Sequence, residues 1–140
     1  MTLGRLFAAA FLSWISVQPA PMKYTTLARG DHSRIEEPRT IVARTAAEWT
    51  ALWKQHGGTG TAPAVELTRS MVIAVFLGTR PSAGYAAEIT RIEKQDTDLV
   101  VTYREQRPAP DAMTAQVLTA PFHIVRTGAH AGPVKFQRTP

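Results

Sequence analysis

No cysteine occurs in the 140 residues. That one absence excludes disulfides, thiolate metal ligands and a cysteine nucleophile, and it removes the lipobox cysteine that a bacterial lipoprotein needs. Metal-ligand spacing is missing too, because His32, His56, His123 and His130 lie far apart with no H-x-H, H-E-x-x-H or Asp-rich loop. No G-x-S-x-G elbow occurs, and Gly78 and Gly84 fit neither the Walker nor the dinucleotide fingerprint. Glu36, Glu37, Glu88 and Glu105 read as ordinary exposed charges rather than a glycosidase pair. These absences point to a chain with no catalytic residues, no metal and no cofactor. A triad assembled in space around Ser82 or His123 is the remaining enzymatic alternative.

Charge is present but dilute. Sixteen Lys and Arg stand against eleven Asp and Glu, for a net charge of +5. The basic residues are spread singly, whereas a nucleic-acid binder gathers them into a patch with interleaved aromatics, so no nucleic-acid partner is expected. A hydrophobic fraction of 44% with three Trp, three Tyr and five Phe is enough for one globular domain with an ordinary core.

The N-terminus carries Arg5, the apolar stretch Leu6 to Val17, and a Pro/Ala-rich exit through Gln18 to Pro21. These are the three parts of a secretory signal peptide, although Gln18 stands where a small side chain is preferred. The stretch is shorter than the ~20 residues of a membrane span. The expectation is a signal peptide over residues 1–20, a periplasmic or secreted product, and a single domain over residues 23–138. A retained amphipathic helix or a misplaced start codon is the alternative.

The chain is organised around Met71 to Ile92. Met71 to Leu77 is a continuous apolar run of strand length, which predicts a strand buried on both faces. Gly78, Pro81 and Gly84 then break the pattern before a second strand begins after Tyr85. Upstream, Lys23 to Ala28 and Arg39 to Arg44 have strand character. Arg29-Gly30-Asp31 reads as a turn, although it spells the integrin-binding tripeptide. Thr45-Ala46-Ala47-Glu48 is a capping box, with Trp49, Leu52, Trp53 and His56 following on one helical face and Gly57-Gly58 as the stop. That stripe reads as core rather than a ligand platform, and His56 as a residue compensating the helix dipole.

Downstream, Glu93 to Asp98 connects a hairpin to Leu99 to Glu105. Thr114 to Ala120 and Phe122 to Arg126 form an extended segment broken at Pro121, and Val134 to Gln137 is a last strand. The fold class expected is α+β, mainly β: a small antiparallel barrel or sandwich of about seven strands. One helix would cover an opening, and every later connection would be of hairpin type.

Two readings fit Thr79, Arg80, Pro81, Ser82, Ala83, Gly84 and Tyr85, with Arg107, Pro108 and Pro110 on another connection. They are either tight turns with a core Tyr, or a contact surface at the rim of a sheet, since Tyr and Arg dominate binding hot spots and Pro stiffens loops.

Several of these pieces recur together in one known family. Gly78 to Tyr85, Glu88-Ile89, Val101 to Glu105 with Pro108, and Gln116 to Val125 resemble the PrcB C-terminal-domain family, which is named for a non-catalytic subunit of a bacterial surface protease complex. The resemblance spans about residues 72 to 126 and implies a protein partner, a bacterial peptidase, contacted through the 78–85 loop. Ala83-Gly84-Tyr85 stands where members often carry Gly-Gly-Tyr, and the lipoprotein anchor of the namesake is missing. Arg80 to Tyr85 is also similar to the Asn-Pro-Thr-Thr-Gly-Tyr loop of chagasin-like inhibitors, which implies the alternative of direct protease inhibition.

Overall fold

The computed structural model describes Gly4 and residues 18–140, so the expected signal peptide falls almost wholly outside the described residues. Eight strands and one helix form among them. In chain order these are β1 (Ala20–Pro21), β2 (Tyr24–Gly30), β3 (Arg39–Ala43), α1 (Ala46–His56), β4 (Ser70–Phe76), β5 (Ala86–Gln95), β6 (Asp98–Gln106), β7 (Phe122–Gly128) and β8 (Val134–Arg138). They make two four-stranded sheets, ordered β1-β5-β6-β8 and β2-β7-β4-β3. The molecule is a sandwich and not a closed barrel.

Alternation along β4 builds the core on both of its sides. Met71, Ile73, Val75 and Leu77 point into the space between the sheets, against Ala87, Ile89, Ile92, Leu99, Val101 and Val125. Val72, Ala74 and Phe76 point the other way, against Trp49 and Leu52 of the helix together with Ala43, Phe122 and Ile124. The helix therefore covers the outer face of the second sheet rather than an opening. A register shift between Ile89 and Arg91 lets β5 bury both Ile89 and Ile92, which strict alternation would send to opposite faces.

The helix ends follow the sequence signals. Thr45 accepts from the Glu48 N–H at 3.1 Å and donates its hydroxyl proton to the Glu48 carboxylate. Gly57 takes the left-handed conformation, φ 82°, and ends the helix. His56 differs from expectation. It is buried, its ring centroid 4.1 Å from that of Phe122, with Nδ1 2.9 Å from the Ser33 hydroxyl. Burial lowers its pKa, so it is a neutral core residue rather than a charge at the helix end.

Three expectations about connectivity are corrected. Only β5 and β6 are joined as a hairpin with paired neighbours, through a turn in which Asp96 has φ 58°. The links β4–β5 and β6–β7 instead cross from one sheet to the other, and β8 pairs parallel with β6. Thr114 to Ala120 forms no strand and makes only isolated bridges at Thr119 and Ala120. Arg29 and Gly30 belong to β2, paired with His123 and Phe122, so the turn begins at Asp31.

Candidate functional site

Strand direction gathers the connections at one end. Phe76 at the end of β4 is opposite Phe122 at the start of β7, and Ala86 at the start of β5 is opposite Gln106 at the end of β6. Two of the inter-sheet crossovers, residues 77–85 and 107–121, therefore leave and re-enter the frame side by side. The parallel pairing of β8 brings Arg138 to the same end, opposite Tyr103.

The two crossovers are tied together by hydrogen bonds. Arg80 and Thr119 exchange backbone bonds at 2.7 and 3.0 Å, and the Ala83 N–H donates to the Ala115 carbonyl at 3.0 Å. The Thr119 hydroxyl donates to the Ser82 carbonyl at 2.9 Å in a buried position. Gly84, at φ 98°, sits so close to the second crossover that a Cβ there would lie 2.8 Å from Pro108 Cβ. The sequence-selected residues of the two loops thus do meet, through Gly84 and Pro108.

Their side chains fall into different environments. Thr79, Pro81 and Gly84 are exposed on the first crossover and Arg107 on the second, whereas Ala83, Tyr85 and Pro108 are half-buried. Thr79 is held by the Glu36 carbonyl, to which its N–H donates at 3.0 Å. Ser82 is buried and donates its hydroxyl to the Ala83 carbonyl. Arg80 turns its guanidinium onto the Glu105 carboxylate and also donates from Nη1 to the Thr79 carbonyl.

Glu105 is the residue that sequence reading placed wrongly. Its side chain is 3% exposed and is surrounded by Arg80, Arg138 and Arg107, with Arg107 Nε 3.5 Å from Oε2. Burial works to raise its pKa, but the hydrogen bond and charge of Arg80 and the charges of Arg138 and Arg107 outweigh that and hold it below the usual carboxylate range. The sequence signal was faint, a Glu closing the alternating strand Leu99 to Glu105. Its two hydrogen-bonded partners, Arg80 and Arg138, stand 25 and 33 residues away in the chain.

Segment 112–118 has no regular secondary structure, although its residues from Thr114 on fall in the expected extended segment. It lines the surface beside the tied crossovers and carries Met113, Val117 and Leu118, all exposed, with Leu118 74% accessible.

Ser82 and His123, the two residues considered for a triad, have separate partners. His123 is buried between the sheets: Nδ1 accepts from the Ile89 N–H at 2.8 Å, and Nε2 lies 2.8 Å from the Thr26 hydroxyl. Burial first, and the Arg29 charge second, push its pKa down to about 4. No group of His, Asp or Glu suited to a metal ion occurs among the described residues. None of the described helices is long and apolar enough to cross a membrane.

Fold and site together define a β-sandwich with one face covered by a helix and with paired inter-sheet crossovers at one end. A family model described as PrcB C-terminal matches residues 71–128, from β4 through β7, in support of the resemblance read from the sequence. The matched stretch contains both crossovers and the three exposed apolar side chains. No curated protein and no solved structure matches the chain.

Proposed function

We propose that this is an exported, non-catalytic accessory domain that binds a protein partner through the 78–85 loop and the adjoining 107–119 crossover. The partner is a bacterial peptidase, by analogy with the protease-complex subunit for which the family is named. The observation that carries the reading is the tying of the two crossovers into one platform that holds Met113, Val117 and Leu118 in water. A surface whose backbone is already fixed loses little entropy on binding, and its apolar side chains supply the driving force. Periplasmic or secreted location rests on the charge and hydropathy sequence of residues 1–20.

The inhibitor reading draws on the same loop, but tethering favours the accessory one. Ser82 is buried and Arg80 is drawn onto Glu105, so the loop lies along its neighbour instead of protruding as a cleft-inserting loop does.

The test uses the full chain as bait in a native extract of its host, with Leu118→Asp and Val117→Asp as variants. Both positions are exposed, so thermal unfolding stays close to that of the parent. The expected result is a partner retained by the parent and retained about tenfold less by each variant. Equal capture by parent and variants overturns the assignment of the surface. Inhibition of the captured peptidase by the free domain would move the reading to the inhibitor class.

A further inference from the structure

The Glu105 cluster does more than close one end of the sandwich. A single carboxylate faces three guanidiniums, and its oxygens are already engaged, Oε1 by Arg80 and Oε2 by Arg138 and Arg107. Two positive charges are left over. Arg107 is 71% exposed and Arg138 45%, so the surplus charge faces solvent rather than the core. A hollow of about 420 Å³ opens there, lined by Arg107, Arg138, Thr139, Pro140 and the edge of Glu105. A second hollow, about 220 Å³, shares Arg138 and adds Arg39, Arg80 and Tyr103. Among the described residues, Glu105 is the one acidic side chain lining the larger hollow, and no acidic side chain lines the smaller.

Arginine forks fixed by a buried carboxylate keep unused N–H donors aimed outward, and guanidinium geometry matches a second carboxylate by paired hydrogen bonds. Salt and solvent weaken exposed charge pairs, but Arg138 is already hydrogen-bonded to Glu105 before any ligand arrives and loses less rotamer freedom on binding, while Arg107 stands beside it as a solvent-facing charge 3.5 Å from the same carboxylate.

We propose that Arg107 and Arg138, positioned by Glu105, form a recognition site for a carboxylate on an acidic segment of the protein partner. This rests on the reading of the 107–119 crossover as a contact surface. Arg107 begins the same crossover that carries Met113, Val117 and Leu118, so the partner segment that fits combines Asp or Glu with apolar side chains. Charge complementarity selects the acidic part, and the exposed apolar side chains of the same crossover select the rest.

The site is tested without the partner. The full chain is titrated with a blocked tetraglutamate peptide and with its tetraglutamine counterpart, while the Arg Nε–Hε resonances are followed by NMR. Tetraglutamate is expected to bind and shift the Arg107 and Arg138 signals, and tetraglutamine to leave them in place. Arg107→Gln is expected to weaken tetraglutamate about tenfold. Arg126→Gln, which removes the same charge from an exposed position on β7, is expected to leave it unchanged. Equal weakening by the two variants would reduce the effect to net charge and overturn the site, as would absence of any shift. Inorganic phosphate is the comparator, and tighter binding of phosphate than of the peptide would overturn the acidic-segment assignment. If tetraglutamate binds as described while partner capture ignores Leu118→Asp, the anion site stands and the apolar contact surface fails.

Discussion

Acid should weaken this sandwich through one histidine. His123 lies on β7 and reaches across to β5, where Nδ1 accepts the Ile89 N–H at 2.8 Å. That acceptor role leaves the proton on Nε2, which donates to the Thr26 hydroxyl on β2. Protonation would place an N–H against the Ile89 N–H, inside a site from which water is nearly absent. The folded pKa is accordingly about 4, against 6.5 for the free side chain. Between those values the unfolded chain takes up a proton that the folded chain refuses. Stability is therefore full above pH 6.5 and falls as the pH drops toward 4. From pH 7 to pH 5 the loss is at most about 2 kcal/mol, reduced by whatever screening solvent provides. His56 is shifted in the same direction and adds a smaller contribution. Urea denaturation at pH 7 and pH 5 measures the loss. In His123→Gln the amide can occupy the same two hydrogen bonds without titrating, so the variant should be less stable at pH 7 but should lose less between pH 7 and pH 5. Identical losses in parent and variant, or an NMR titration of His123 above pH 6, would refute the reasoning.

Two further outcomes follow from the tied crossovers. Gly84→Val places a Cβ 2.8 Å from Pro108 Cβ and 3.1 Å from Thr114 Cγ2 at a backbone angle that β-branched residues avoid, so it should cost about 1–3 kcal/mol. Hydrogen exchange at the Ala83 N–H, now bonded to Ala115, should accelerate in that variant, and unchanged exchange would mean that the two crossovers are not held together there. Glu105→Gln removes the countercharge of three arginines and should cost about 2 kcal/mol by chemical denaturation, discounted for the solvent around Arg107 and Arg138. A neutral effect would show that the cluster contributes nothing to the fold.

Much of the frame was legible because its signals are local. The unbroken apolar run Met71 to Leu77 encodes burial on both faces, and the Thr45 and Gly57 caps bound the helix within the sequence itself. The alternating strand Leu99 to Glu105 and the charged turn before it likewise located the β5–β6 hairpin. What escaped depends on distant partners. Val134 to Gln137 carries no mark of whether it joins the preceding strand or, as it does, lies parallel to β6. Thr114 to Ala120 reads as an extended segment, yet Pro121 lacks the donor a ladder needs, and only Thr119 and Ala120 find bridge partners. Glu105 and His56 looked like exposed charges because the arginines and Phe122 that bury them come from other elements. The loop residues at 79–85 were found because Gly and Pro punctuate the sequence. Leu118 was missed because it sat inside a segment read as strand.

The contact surface itself is tested most directly by site-specific photocross-linking in the native host. A photoreactive residue is placed at position 118 of the full chain in one experiment and at position 126 in another. Leu118 is 74% exposed on the second crossover, and Arg126 is also exposed, on β7. The account predicts a discrete adduct from position 118 and none from position 126. An adduct from position 126 with none from 118 would contradict it and move the partner to another face of the sandwich.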